Sequence, residues 1–242
     1  MTTVYCVRHG QSVSNAGGLT MAHADIPLSP LGVSQAAALP EIFASVLKVQ
    51  LTRVLASSYV RALQTAQPFG ERFAQPPEVD PLLHEFSALD ANLLQGLLGY
   101  QRRPLADAYW QAADPALRAG PDAETFLEFD ARVEAFVTTT LPSLRDGCVL
   151  VGHGIWFALL FWQLTGCRVE TSADMLAFQA FRQKLPMPNC AVYALDKAGR
   201  RWRPRLEAEV MQEMAALPTL TSSMTVEPNA SARVAFTSQD RS

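Results

Sequence analysis

Two short stretches hold the residues best suited to chemistry. In one, Val4-Tyr5-Cys6-Val7 runs into Arg8-His9-Gly10; in the other, Cys148-Val149-Leu150-Val151 runs into Gly152-His153-Gly154. The chain has only 4 histidines, so two His-Gly steps, each after an apolar run, ask for a common cause. Imidazole titrates near neutral pH and serves as nucleophile, base or anion ligand. A lone histidine is more often structural, but the adjacent arginine and the second His-Gly step reverse that reading. Arg61 adds another guanidinium. Two arginines offer planar forks of donors that match phosphate oxygens, so the implied guest is a dianionic phosphoryl group. One imidazole could attack phosphorus while the other holds the transferring oxygens. A metal centre fits poorly, because Arg8 and Arg61 would repel a divalent cation and no His-Glu-x-x-His occurs. No metal and no cofactor are therefore expected.

These groups must be delivered to one place by the elements around them. Val4 to Val7 suits a buried strand ending at Arg8-His9. Residues 10–28 read as a loop, after which Ser29 caps a helix with Pro30 in its first turn. Leu31, Ala38, Leu39, Ile42, Phe43, Val46 and Leu47 recur there at helical spacing. A strand over Thr52-Arg53-Val54-Leu55-Ala56 ends at Ser57-Ser58, one of which is expected to cap a helix from Tyr59 to Gln67. Pro68 would kink or end that helix, and Arg61 falls in its first turn. An extended segment from Glu78 to Leu83 leads into His84-Glu85. Residues 86–121 are interrupted by glycines and prolines and read as an insertion over one end of the core. Phe126, Phe129, Val133, Phe136 and Val137 share one face of a helix ended by Pro142. The strand before His153 leads into a helix that is apolar nearly all round, expected to be buried and to stop near Gly166. Ala191-Val192-Tyr193-Ala194-Leu195 is a last strand, with a turn at Ala198-Gly199.

Strands alternating with helices predict an α/β fold: a mostly parallel central sheet with helices on both faces and a helical or loop insertion over the active-site edge. Ligands in such sheets sit outside the carboxyl ends of the strands. That is where Arg8, His9, Arg61 and His153 would converge, beside two helix N-termini whose free N–H groups favour an anion.

Composition narrows the partners. The 242 residues carry a net charge of −3, with 49% hydrophobic and 18% charged residues. No basic block or charge excess marks a nucleic-acid or membrane surface. The longest apolar run, Ile155 to Trp162, is too short to cross a bilayer. The 4 cysteines include no Cys-x-x-Cys pair and suit buried positions in a reducing compartment. Met1-Thr2-Thr3 carries no secretory pattern, so a cytoplasmic location is expected. The expected partner is a small phosphorylated substrate, and the oligomeric state is left open.

The motifs resemble the histidine phosphatase superfamily, the phosphoglycerate-mutase-like fold. Arg8-His9-Gly10-Gln11-Ser12 with Asn15, then Leu28-Ser29-Pro30-Leu31-Gly32 with Gln35-Ala36, is similar to its opening motif. Ser57-Ser58 with Arg61-Ala62 and Gln64-Thr65-Ala66 resembles the second, Leu82-Leu83-His84-Glu85 the third, and Val151-Gly152-His153-Gly154 the fourth. The resemblance spans residues 4 to about 195. It implies a histidine phosphatase domain over residues 1–216, in which 86–121 is the cap-like insertion. From about Leu217 the chain is Ser/Thr/Pro-rich without periodicity, so 217–242 is expected to be a disordered tail. The resemblance also implies that His9 is the nucleophile and becomes a phosphohistidine. Arg8, Arg61 and His153 would bind the phosphoryl oxygens, with Asn15 and Gly154 alongside. Glu85 would protonate the leaving oxygen and then deprotonate the attacking water. His23 and His84 are read as loop residues, His84 also as a candidate rim contact. Arg102-Arg103 is read as a solvated step and as a candidate contact for the rest of an anionic substrate.

Three functions suit this constellation: a phosphomonoesterase, a phosphoglycerate-type mutase, and a phosphate-binding module with little turnover. The mutases of the family share a Trp before the motif Asn and a Phe-Ser/Thr-Gly-Trp stretch. Here Ser14 precedes Asn15, and Thr20-Met21-Ala22-His23 stands at the second place. After the acid, an Arg-x-Tyr-Gly pattern is replaced by Phe86-Ser87-Ala88-Leu89. The phosphatase reading comes first, with the mutase second.

Overall fold

The computed structural model describes residues 2–217; of the tail expected over 217–242, all but Leu217 lies outside them. Its strands are β1 (Thr2–Arg8), β2 (Arg53–Ala56), β3 (Glu78–Val79), β4 (Cys148–Gly152), β5 (Val192–Ala198) and β6 (Arg201–Leu206). They form one sheet in the order β3-β2-β4-β1-β5-β6. The first four in that order are mutually parallel, whereas β5 runs antiparallel to β1 and β6 antiparallel to β5.

Strand periodicity sorts the side chains into two layers. Val4, Cys6, Leu55, Cys148, Leu150 and Leu195 face α5 (Phe126–Ala135), α6 (Gly154–Leu164) and α7 (Ser172–Lys184). Tyr5, Val7, Val54, Val149, Val151 and Val192 face α1 (Pro30–Leu47), α2 (Val60–Phe73) and α8 (Ala208–Ala216). Helices thus cover both faces, as the apolar runs of β1 and β4 require. Trp156 through Phe161 in α6 are all buried, which accounts for a helix with no polar face. Helix α1 is long and apolar enough by composition to cross a membrane; here it lies against the sheet with Leu39, Pro40 and Phe43 buried.

Several expected boundaries move. Helix α2 passes through Pro68 to Phe73, because Ala62, Ala66 and Phe69 lie buried in the sheet layer and that packing outweighs the roughly 3 kcal/mol that an interior proline costs. The segment expected to be extended over 78–83 pairs only at Glu78–Val79. Beyond it the Asp80 side chain accepts from Leu82 N and starts a 3-10 turn over Pro81–Leu83. The helix expected to end at Pro142 loosens into a π turn at Phe136–Thr140, then tightens into a 3-10 turn at Leu141–Ser143 that includes the proline. A proline in the first turn of a new helical segment needs no N–H partner.

The insertion contributes α3 (Ala91–Leu94) and α4 (Gly99–Ala112). Its backbone docks on the loop after β1: Thr20 N donates to Leu97 O at 3.0 Å, Gly96 N to Thr20 O at 2.9 Å, and Gly99 N to Gly17 O at 3.1 Å. It therefore sits beside the edge where β1, β2 and β4 all end.

Candidate active site

Chain geometry alone brings the predicted residues together. Strands β1, β2 and β4 are parallel neighbours, with Arg8 level with Gly152 and Ala56 level with Val151. The residues leaving each strand must therefore emerge at one edge. His9 N donates to Gly152 O at 3.0 Å, and Ser57 N to Val151 O at 3.0 Å, which extends the ladder into the site.

The loop after β1 is clamped on all sides. Gly10 N donates to Thr65 Oγ1 at 3.1 Å and Gln11 N to Gln35 Oε1 at 2.8 Å, while Ser29 Oγ reaches Gln11 Oε1 at 2.7 Å. Ser29 also caps α1 by accepting from Gly32 N. The need for glycine comes from this packing. A Cβ on Gly10 would stand 2.7 Å from Gly32 O, and one on Gly32 would stand 1.9 Å from Gln11 O. Two backbones touch there, and only glycine leaves room for both.

His9 is 4% exposed. Its Nδ1 lies 2.7 Å from Gly10 O. A carbonyl only accepts, so Nδ1 carries the proton and Nε2 bears the lone pair. Arg61 agrees with this tautomer by donating from Nε to His9 Nε2 at 3.2 Å. Arg61 is held in turn by His23 O, which accepts from its Nη1 at 2.7 Å, and it lies over the Tyr59 ring at 4.9 Å. Arg8 donates from Nη1 to Met187 O, and its buried Nε has no partner.

His153 is fully buried, with its ring 5.2 Å from that of His9. Its Nε2 shares a 2.8 Å hydrogen bond with Ser57 Oγ, and its Nδ1 is buried without a partner. Neither Ser57 nor Ser58 caps α2, where one of the two was expected to. Ser57 Oγ accepts weakly from Tyr59 N at 3.3 Å, and Tyr59 makes the N-cap with no side-chain bond. Gly154 opens α6, where a Cβ would stand 3.3 Å from Arg8 Nε.

Glu85 meets α6 at its first turn. Its Oε1 accepts from Phe86 N and Trp156 N, each at 3.0 Å, and its Oε2 accepts from Ile155 N at 3.2 Å. The N-terminal donors of α6 thus point at Glu85, whereas the sequence reading aimed them at the phosphoryl group. At α2 the first N–H, of Val60, goes to Ala24 O. Arg132 fixes the segment before Glu85, donating to Leu82 O at 2.9 Å and His84 O at 2.8 Å while paired with Glu124. Asn15 accepts on Oδ1 from Ser12 N and from Asn189 Nδ2 at 3.0 Å. Asn189 also donates to His9 O and Gly10 O, each at 3.2 Å.

Burial first, and then the Arg61 and Arg8 charges, push the His9 imidazole well below the ordinary histidine range. Burial, Arg61, His9 and Arg8 do the same to His153. Both rings are therefore neutral in the free site, and a positive His153 would require the incoming dianion. The guanidiniums of Arg8 and Arg61 are also pushed down by burial, opposed by the Glu85 charge, yet stay protonated because arginine starts so high. The site is a neutral lone pair between two fixed cations.

A cavity of about 410 Å³ opens onto this site, lined by Arg8, Asn15, Glu85, Gly154, Ile155, Arg182, Leu185 and Met187. Arg102 does not line it. It donates to Ser14 Oγ and to Ser14 O, tying α4 to the loop, and with Arg103 and His23 lines a second, mostly apolar cavity of about 270 Å³. The sequence reading missed Asn189, Arg132, Arg182 and the true role of Ser57. Among the described residues no cluster of three or more His, Cys, Asp or Glu side chains could hold a metal.

The chain is similar to known proteins over most of its length. The family described as histidine phosphatase superfamily (branch 1) matches residues 4–209. A glucosyl-3-phosphoglycerate phosphatase of Mycolicibacterium vanbaalenii is 40% identical over 172 residues, 68% of this chain and 74% of its own. A protein of Enterobacter sp. named "Probable phosphoglycerate mutase GpmB" is 28% identical over 84% of this chain and 88% of its own. Among solved structures, a mycobacterial glucosyl-3-phosphoglycerate phosphatase in complex with VO3 superposes with a TM-score of 0.63 at 26% identity, covering 86% of this chain and 98% of that one. The alpha-ribazole phosphatase of Shigella flexneri shares the fold at 23% identity, with a TM-score of 0.64 over 85% and 95% of the two chains. With its motif loop, both His-Gly steps and its sheet inside one continuous match, this chain belongs to the histidine phosphatase superfamily.

Proposed function

We propose that the protein hydrolyses phosphate monoesters of a small metabolite through a phosphohistidine on His9. The observation that carries this is the Nδ1–H tautomer of His9, which leaves the Nε2 lone pair beside Arg61. In the first step Nε2 attacks phosphorus and the ester P–O bond breaks. Glu85, loaded with a proton as the ester binds, passes that proton to the leaving oxygen. In the second step water attacks the phosphohistidine and gives a proton back to Glu85; the N–P bond breaks, and inorganic phosphate departs. Arg8 and Arg61 offset the charge on the equatorial oxygens in a site with little water. His153 gains its proton as the dianion binds and adds a donor.

Charge supports a reaction without a metal, because the guanidiniums supply what a divalent ion supplies in other phosphatases. Activity should survive exhaustive chelation, and loss that one specific divalent ion restores would sink the arginine pocket. The free cysteines, three of them buried, support the reading of a reducing, cytoplasmic setting.

The phosphatase reading is favoured over a mutase by Ser14, which stands where the family's mutases have Trp and which Arg102 engages. The test is a panel of phosphate esters assayed for released phosphate, with phosphoglycerate interconversion run alongside. Phosphate release with no interconversion is the expected result, and interconversion faster than release would make the protein a mutase. Glu85→Gln should slow alkyl esters far more than nitrophenyl phosphate, whose leaving group departs as an anion; equal slowing would remove Glu85 from the acid role.

A further inference from the structure

Arg182 lines the cavity together with Arg8, Asn15 and Glu85, and nothing in the hydrolytic mechanism uses it. It comes from α7, a helix with no part in the phosphoryl site. Its guanidinium carbon lies 4.6 Å from the centre of the Trp110 ring on α4. That cation–π contact holds the guanidinium over the ring. Its Nε is buried with no partner. Among the described residues it makes no ion pair; Glu85, on the same cavity wall, is the one charge that supports its protonation against burial. A buried arginine N–H without an acceptor is costly and asks for an explanation, and a bound acceptor is one that its place on the cavity wall supplies. Ile155, Leu185 and Met187 line the same cavity beside these polar groups.

Resting on the phosphatase reading, which puts the leaving oxygen at Glu85, we infer that Arg182 binds a second anionic group on the leaving part of the substrate. The substrate is then a phosphate ester with a second negative charge, a carboxylate or another phosphoryl group, a short carbon chain away. Planar, bidentate recognition of such a group is what a stacked guanidinium does best.

The competing account is that Arg182 only pins Trp110, and so α4, to α7. Binding and turnover separate the two. Glycerol 3-phosphate and 3-phosphoglycerate have the same carbon skeleton and differ in one group, a neutral CH2OH against a carboxylate. In a His9→Ala protein, which binds without turnover, calorimetry should give a lower Kd for 3-phosphoglycerate. Arg182→Gln in that background should cut the preference by roughly tenfold to a hundredfold, the span expected for a lost hydrogen bond to a charged group. Arg182→Lys should restore part of it. Propane-1,3-diol bisphosphate replaces the carboxylate by a second phosphoryl group, and whichever ester is hurt more by Arg182→Gln identifies the anion. An equal loss for the charged and neutral esters, or no loss, overturns the inference. Phosphate release by the parent protein is read separately, so failure of the phosphatase reading would show there and leave the binding comparison intact.

Discussion

His9-Gly10 and His153-Gly154 start from the same local design, a histidine leaving the carboxyl end of a buried parallel strand. The chain on the far side of each glycine then makes them different. After Gly10 comes a loop whose backbone turns back on Gly32, so Gly10 O lies 2.7 Å from His9 Nδ1. After Gly154 comes helix α6, whose first N–H groups are taken by Glu85, and the ring of His153 turns to Ser57 instead. One imidazole has its tautomer set by a backbone carbonyl and presents a lone pair to Arg61. The other is tied to a hydroxyl and keeps one nitrogen unpartnered. Identical dipeptides thus acquire different chemistry from the loop or helix that each one opens. The ring wired to a carbonyl is the one proposed as nucleophile.

The largest expected effect breaks this asymmetry at its source. His9→Ala should abolish the phosphoenzyme and lower turnover by at least about 10⁴-fold, since the nucleophile is removed outright. Labelled substrate followed by alkaline quench should leave label on the parent, stable in base and lost in acid, and none on the variant. His153→Ala should form the same adduct more slowly, with turnover down roughly 10²–10³-fold, as for loss of one donor to a developing charge. An adduct mapping to His153 would exchange the two roles. Arg61→Lys keeps the charge but loses the fork that reaches His9 Nε2 and His23 O together. Turnover should then fall about 10–100-fold with a stability change under roughly 1 kcal/mol. Parent-like turnover would make Arg61 a structural residue.

The difference between the two histidines also marks how far the sequence could be read. The strands ending at His9 and His153, the Ser29-Pro30 cap and the buried α6 are legible from local rules, because each satisfies its backbone and its apolar face within a few residues. Strand β6 was not, since Arg201-Trp202-Arg203-Pro204-Arg205 alternates charge and proline like a loop. An edge strand tolerates both, because only one side of it must pair. Helix α7 carried a usable signal: Thr171 caps it, and Asp174 completes the capping box. Asn189 and Arg182 had none. Their meaning comes from residues 174 positions away in the chain, Asn15 and Arg8, which no local period can reveal. Ser57-Ser58 reads locally as a cap for α2, whereas the partner of Ser57 lies 96 residues on, at His153.

The smallest effect sharpens the comparison by asking what the burial of His153 costs in acid. Its imidazole is held well below the ordinary range by burial and by Arg61. In the unfolded chain it titrates near about 6.5. Below that pH the unfolded chain takes up a proton that the folded chain refuses, so stability present above about pH 6.5 is lost as the pH falls toward the folded value. One such group can contribute up to about 1.4 kcal/mol per pH unit. Replacing His153 by Gln removes the titration while leaving a polar group near Ser57 Oγ. Between pH 7.5 and pH 5, the parent should lose about 1–2 kcal/mol more stability than His153→Gln, measured by urea unfolding at each pH. Parallel pH dependences would mean that His153 is protonated or solvent-reached in the free protein. The site would then already hold a third cation before substrate arrives, and His153 would differ from His9 in charge as well as in wiring.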